Sequence, residues 1–418
     1  MKSSPNNRRL GPGCRGILVM AMWGLTNVAL AGVLPARIDP AEADPDWHID
    51  ADAGAPAHPA YTKLLDAFTR YRAVLDDGGW GEIAEGADLR IGQRDPRVAT
   101  IRSRLRLTGD FTAHVEADPH FFDTGMDDAV RKFQRRHRLR ADGIVGEQTR
   151  LAMNVPVQQR VVQIAVALER WAWLPRHLGD EYIWVNVPES RLVYTVDEQE
   201  RLSMPVIVGH PDRPTPSFKS ELRQLVFNPT WTVPLTIAVE DLLPRQINDP
   251  GFLDRNGIRV YHGAARDPQQ IPAGDVAWAE LAADRFPYVL VQDPGPSNSL
   301  GRVKFVMDNP FDVYLHDSPA WRLFYLSART LSSGCVRLAD APALVQELMQ
   351  RDRELAQRDV KTLLGPGRTL YVDLERPVPV YIVYFTTWVD ADDQLYFARD
   401  VYRRDETLTR LLPTFARN

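Results

Sequence analysis

The 418-residue sequence predicts an α+β protein of several domains. Three observations point there. Apolar residues recur at helical spacing as far as residue 175; beyond residue 180 the period changes to two over many short runs; and residues 235–285, inside the strand-rich part, revert to helical and loop character. The expected architecture is a mostly antiparallel sheet domain with a helical and loop capping insert, joined to a small helical domain and a helical N-terminal scaffold. Hydrophobic residues at 44% and charged residues at 25% describe an ordinary globular chain, and 32 prolines call for many turns.

Residues 1–31 have the layout of a signal peptide. Lys2, Arg8, Arg9 and Arg15 precede an uncharged apolar stretch from Ile17 to Leu30, and Ala29-Leu30-Ala31 supplies a small-x-small cleavage site before Gly32. An uncleaved anchor is the alternative; a lipoprotein is not expected, because Cys14 precedes the apolar run. No later segment is apolar enough to span a membrane, so the mature protein is expected to lack an integral membrane segment. Removal of residues 1–31 leaves 46 basic against 55 acidic residues, a poor balance for binding nucleic acid. It also leaves Cys335 as the single cysteine, so no intramolecular disulfide can form.

Residues 32–60, rich in Ala, Pro and Asp, read as a flexible leader. Residues 61–93 form a helical scaffold segment: "YTKLLDAFTRYRAVLDDGGW" places Leu64, Leu65, Phe68, Tyr71 and Leu75 at helical spacing and stops at Gly78-Gly79. Residues 94–155 form the small helical domain. Val98, Ile101, Leu105 and Leu107 lie near one face of a first helix, and "DDAVRKFQRRHRLRADGIVGEQTRLAMN" reads as helix, turn, helix, with Val130, Phe133 and Leu139 apolar and a second helix from Glu147 carrying Leu151. Its basic cluster, Arg131, Lys132, Arg135, Arg136 and Arg138, reads as a solvated helix face.

Residues 156–375 are the sheet domain, entered through the amphipathic "QQRVVQIAVALERWAWLP". The runs "YIWVNVP", "RLVYTVD", "SMPVIVGH", "QLVFNPTWTVP", "PYVLVQDPG", "GRVKFVMDN" and "DVYLHDSP" alternate apolar and polar residues and are expected to share one sheet. "APALVQELMQRD" is a helix, and residues 376–418 return to strands as a C-terminal extension. No internal repeat and no metal-ligand spacing of the CxxC or HExxH kind is present, so no metal or cofactor is expected.

Cys335 sits in "SSGCVRLAD", and His316 in "YLHDSP" lies 19 residues upstream. A thiol becomes a good nucleophile when a base takes its proton or positive charge stabilises its thiolate. His316 at a strand end is the candidate base, with His262 its rival. Gly334 lets the chain turn sharply and offers the Gly334 and Cys335 amides to a developing oxyanion. A helix starting near Ala339 would point its positive end at the sulfur, and Arg337 adds a fixed charge. A buried, inert thiol is the competing reading.

"YLHDSP" followed by "SSGCVRLAD" resembles the signature of the L,D-transpeptidase (YkuD-like) catalytic domain, and "DDAVRKFQRRHRLRADGIVGEQT" resembles a peptidoglycan-binding domain of the PG_binding_1 type. "FNPTWTVP", "DPGPSNSLGRVKF" and "VPVYIVYFTTWVDADDQLYF" look like the large periplasmic L,D-transpeptidases of Gram-negative bacteria. The resemblance implies Cys335 as nucleophile, His316 as base, the Gly334 and Cys335 amides as oxyanion hole, and Tyr314, Ser333 and Arg337 along the substrate groove. Ser333 departs from many members, which carry histidine before Gly-Cys. The resemblance further implies a capping subdomain at 235–285, a periplasmic location, peptidoglycan stem peptides and glycan strands as partners with cell-wall synthases as further candidates, 3→3 cross-links, a role in cell shape and sensitivity to carbapenems. Hydrolysis of the same thioester (L,D-carboxypeptidase activity) or non-catalytic wall binding are the alternatives.

Overall fold

The structure, a computed structural model, describes residues 38–50, 56–112, 118–262, 269–281, 286–352, 355–365 and 367–412. The expected signal peptide lies outside them. Among the described residues no helix is long and apolar enough to cross a membrane.

Of the segment read as a flexible leader, the described residues 38–50 instead join the fold. A helical turn, Pro40–Ala43, is capped by the Asp39 carboxylate on the Ala41 amide and leads into β1 (Trp47–His48). Trp47 and Ile49 are buried, and the Trp47 ring sits edge-on to Trp173 at 5.3 Å. An Ala-, Pro- and Asp-rich composition hides two large apolar side chains whose burial offsets the cost of ordering the chain.

β2 (Glu181–Asn186), β3 (Arg191–Val196) and β4 (Gln199–Gly209) form an antiparallel ladder, followed by the long β5 (Ser217–Phe227). The chain then leaves for the insert. β6 (Trp231–Thr232), β7 (Ile258–His262), β8 (Gln269–Ile271) and β9 (Tyr288–Gln292) make a separate four-stranded sheet, with its own core around Trp231, Leu253, Val260, Trp278 and Leu290. The insert is therefore wider than 235–285. "PYVLVQDPG", expected in the main sheet, belongs to it as β9, because alternation identifies a strand without naming its sheet.

β10 (Val303–Met307), β11 (Leu315–His316), β12 (Thr330–Ser332), β13 (Val336–Leu338) and β14 (Leu370–Val383) complete the main sheet. Its pairing runs β5-β10-β11-β13-β4-β3-β2-β14, and β14 pairs again with β5, so the sheet closes on itself. Antiparallel pairs predominate, but β1–β5, β11–β13, β12–β4 and β14–β2 are parallel. The helix Ala341–Gln350, capped by the Asp340 carboxylate on the Ala343 amide, sends Leu344, Val345 and Leu348 into the core that this ring encloses. β14 runs unbroken through residue 376, so no boundary falls there: it is a central strand rather than the start of an extension. The chain after it contains β15 (Thr387–Val389), β16 (Leu395–Phe397) and a helix, Arg404–Leu411, that the strand reading missed.

The helices Pro59–Asp76 and Val157–Ala172 pack with these C-terminal elements over Tyr381, Val383 and Phe385 in a second core. A third core, from Ile83 to Met153, is built on the helices Arg97–Leu107, Thr124–Arg136 and Glu147–Met153. Leu107 and Leu151, expected inside it, are 45% and 49% exposed; Thr149 and Met153 are the buried side chains of the last helix. The basic cluster is not simply a solvated face. Arg136 is buried against Asp110, 2.5 Å away, and donates to the Leu395 carbonyl, while Arg138 donates to the Glu189 carbonyl at 2.8 Å. These contacts fasten the helical domain to the rest of the chain.

Candidate active site

Strand register gathers the candidate residues on one face. β11 lies between β10 and β13, with Lys304 opposite His316 in the antiparallel pair and His316 opposite Arg337 in the parallel pair. Cys335 precedes β13, and the Val336 amide bonds to the Tyr314 carbonyl at 3.1 Å, so Cys335 flanks Tyr314. Because side chains alternate along a strand, Lys304, Tyr314, His316, Cys335 and Arg337 share one face. Val303, Phe305, Leu315, Val336 and Leu338 take the other and fill the core. His316 and Cys335 are diagonal neighbours, about 8 Å apart at Cα from strand spacing and rise.

The Cys335 turn is fixed by buried hydroxyls. Gly334 has φ +110°, a region that side-chain-bearing residues avoid. Ser332 Oγ accepts from the Gly334 amide at 3.2 Å and donates to the Cys335 carbonyl at 2.5 Å; Thr215 Oγ1 donates to the Gly334 carbonyl at 2.7 Å. The expected pair of oxyanion donors is thereby divided: the Gly334 amide is already engaged, whereas the Cys335 amide has no hydrogen-bond partner among the described residues. Ser333 is exposed and accepts from Arg213 at 3.0 Å.

The helix expected to aim at the sulfur does not. It begins at Ala341, beyond β13, and three strand residues at about 3.3 Å each separate its start from the thiol. The rival base His262 ends β7 in the insert, its ring 5.5 Å from that of Tyr288.

The YkuD family, described as the L,D-transpeptidase catalytic domain, matches residues 180–377, and PG_binding_1, described as "Putative peptidoglycan binding domain", matches residues 94–153. A Haemophilus influenzae protein named "Putative L,D-transpeptidase" is 32% identical over 228 residues, 54% of this chain and 45% of that relative. The "N-acetylmuramoyl-L-alanine amidase CwlM" of Mycobacterium tuberculosis is 38% identical over 76 residues, 16% of this chain and 19% of that protein. The chain thus spans less than half the length of either curated relative. An L,D-transpeptidase structure from Xylanimonas cellulosilytica matches at 13% identity, covering 72% of this chain and all of the other, with a TM-score of 0.22. Residues 180–377 match an L,D-transpeptidase catalytic domain.

Within that domain, burial keeps both candidate reactants neutral. It holds the His316 imidazole down at about 3, assisted by the Arg337 charge, and pushes the Cys335 thiol up. The Tyr314 amide and hydroxyl and the charges of Lys304 and Arg337 pull the thiol the other way without overcoming burial. The sulfur donates weakly to the Asp312 carbonyl at 3.7 Å, rather than to His316. His316 Nδ1 meets the Asp317 carbonyl at 2.6 Å. The candidate site is thus a thiol that burial pushes up beside an imidazole that burial holds down, with the Lys304 and Arg337 cations close by.

Sequence reasoning missed several participants. Lys304, whose ammonium lies 3.7 Å from the Tyr314 ring centroid, stands one strand away from His316. Ser332 and Thr215 shape the turn, Arg213 holds Ser333, and the Trp231 indole reaches the Tyr314 hydroxyl. Only the alternation of "GRVKFVMDN" carried a signal for Lys304. The Arg337 Nε is buried and has no hydrogen-bond partner among the described residues. Among the described residues no group of three or more His, Cys, Asp or Glu is placed to hold a metal ion.

Proposed function

We propose that the chain is a cysteine-dependent L,D-transpeptidase acting on peptidoglycan tetrapeptide stems. The observation that carries this reading is the shared face of Cys335, His316, Tyr314, Lys304 and Arg337, which brings a thiol, a base with a free nitrogen and two cations together. His316 takes the thiol proton as Cys335 Sγ attacks the carbonyl of the third stem residue, meso-diaminopimelate. The Cys335 amide faces the developing oxyanion. The terminal D-alanine leaves with the proton as the thioester forms, and Arg337 receives a stem carboxylate. A side-chain amine of a second stem then attacks the thioester, giving a 3→3 cross-link and returning the thiol. The 94–153 domain holds the wall, and the signal-like segment at 1–31 directs the chain to the periplasm.

Incubating the protein with a disaccharide tetrapeptide tests this reading. The expected result is an acyl adduct on Cys335 in the intact mass and a cross-linked dimer among the products. Tripeptide alone would replace transfer by hydrolysis, and no adduct would remove Cys335 from the reaction.

A further inference from the structure

Arg213 stands in the loop between β4 and β5, outside the reacting group, yet it joins the two elements that flank Cys335. Its Nη1 donates to Ser333 Oγ at 3.0 Å and to Asp241 Oδ2 at 2.6 Å, and its Nη2 donates to Asp241 Oδ1 at 3.2 Å and to Glu240. Ser333 lies two residues before the thiol. Glu240 and Asp241 lie in the insert, on a single π-helical turn, Ala238–Leu242, a form of helix that recurs at functional sites. On the other flank the insert touches the site again, where Trp231 reaches the Tyr314 hydroxyl and Tyr314 packs on the insert's core. The insert is therefore held to the site on both sides of Cys335.

The two attachments differ in kind. Trp231 is 9% exposed and anchored in an apolar core, whereas the side chains of Arg213, Asp241 and Glu240 are 26%, 36% and 58% exposed. The first is an apolar, buried attachment; the second is a salt-sensitive fork that water and ions reach. We propose that Arg213 is a positioning residue that clamps the insert over Cys335 and so decides whether the thioester is passed to an amine or to water. The proposal rests on the acyl-transfer reading of Cys335. In transfer, the acyl carbon–sulfur bond breaks, an acyl carbon–nitrogen bond forms and the amine's proton returns to the sulfur. In hydrolysis, water supplies the oxygen, and a carboxylate and the thiol result. Both routes share one thioester, so their ratio reports access to the site rather than the strength of the nucleophile.

The experiment uses the full chain with the disaccharide tetrapeptide as donor and acceptor, and reads the ratio of hydrolysed tripeptide to cross-linked dimer. Arg213→Ala and Asp241→Asn are each expected to raise that ratio by about two- to fivefold, the upper part of the range for loss of a partly exposed ion pair. The double variant should do no more than either single one, a non-additivity that two independent structural losses would not show. In the wild type the ratio should rise with sodium chloride, while Arg213→Ala should be flat. An unchanged ratio in a folded Arg213→Ala protein, additive effects, or a wild-type ratio indifferent to salt would each overturn the clamp. Should Arg213→Ala fail to fold, Asp241→Asn, Glu240→Gln and the wild-type salt series decide the matter alone. Absence of any adduct on wild-type Cys335 would instead sink the acyl-transfer reading, a result distinct from an adduct whose partition ignores Arg213.

Discussion

His316 Nδ1 lies 2.6 Å from the backbone carbonyl of Asp317. A carbonyl can only accept, so Nδ1 carries the hydrogen and Nε2 is left as the basic nitrogen. The Asp317 side chain is occupied elsewhere, accepting from the Arg302 amide at 2.8 Å. The orienting group is therefore main chain. Asp317→Asn should leave the imidazole tautomer in place, whereas His316→Ala should slow acylation of Cys335 by about 10²–10⁴. Cys335→Ser should be nearly inactive, because a hydroxyl lies far above a thiol in acidity. Carbapenem adduct formation in the intact mass measures all three. Wild-type acylation by folded His316→Ala or Cys335→Ser protein would remove that residue from the chemistry.

The pH dependence of that acylation follows from burial. The thiol is pushed above its ordinary value and the imidazole is held at about 3, so both stay neutral across the physiological range. A pre-formed thiolate–imidazolium pair would give a rate step well below the ordinary thiol value of about 8.5, because each charge favours the other. Here the rate of Cys335 alkylation by iodoacetamide should show no step there and should keep rising beyond pH 9. A plateau reached by pH 7 would mean the thiolate is already formed.

Stability should respond to acid for the same physical reason. Burial lowers His316 to about 3 and His58 to about 4, and holds His137 well below its usual range. Each stays neutral in the fold while the unfolded chain takes up a proton below about 6.5. Stability is thus fully present above that value and lost as pH falls below it, by about 1.4 kcal/mol per unit for each such histidine until its folded value is reached. Thermal melts from pH 8 to 4.5 should show a falling Tm that steepens below 6.5; a flat Tm would contradict the burial of these rings.

Much of this fold was legible because alternation and helical spacing are local. The helix Pro59–Asp76 buries Leu64, Phe68 and Tyr71 as its spacing asked, and β10 and β13 alternate inward and outward as their apolar residues do. What stayed hidden was pairing. Nothing local in "YLHDSP" says that β11 is parallel to β13, and that register is what places His316 opposite Arg337. Nothing local separates β9 from the main sheet. Lys304 looked like the polar half of a strand, and becomes a site residue only through the neighbour it pairs with.

Arg136 tests the reading of the basic cluster. It makes two hydrogen bonds to Asp110, at 2.7 and 2.5 Å, and reaches the Leu395 carbonyl from another domain. Removing one partner of a buried pair leaves a charge without compensation, at a cost of about 3–5 kcal/mol. Arg136→Ala should therefore lower the Tm markedly. Arg135→Ala, on an exposed neighbour, should change it little. Equal effects would return Arg136 to the solvated face.

Gly334 offers the sharpest separation of geometry from chemistry. Its φ of +110° belongs almost wholly to glycine, and the cost of holding alanine there is about 1–3 kcal/mol. Space is not the obstacle: an added Cβ would meet only the Pro214 and Arg213 carbonyls, at 3.8 and 4.0 Å. The strain would relax by rotating the backbone that carries the Cys335 amide, which has no hydrogen-bond partner among the described residues. The buried Ser332 and Thr215 hydroxyls hold that turn from both sides and limit how far it can move. Gly334→Ala should fold with a modest fall in Tm, retain a thiol that iodoacetamide alkylates, and lose most acylation by the tetrapeptide, because alkylation needs only the sulfur whereas acylation also needs the oxyanion donor. Loss of one oxyanion donor typically costs about 10²–10³ in rate. If alkylation and acylation instead fell in parallel, Gly334 would be positioning the sulfur itself, and the Cys335 amide would have no separate part in the reaction.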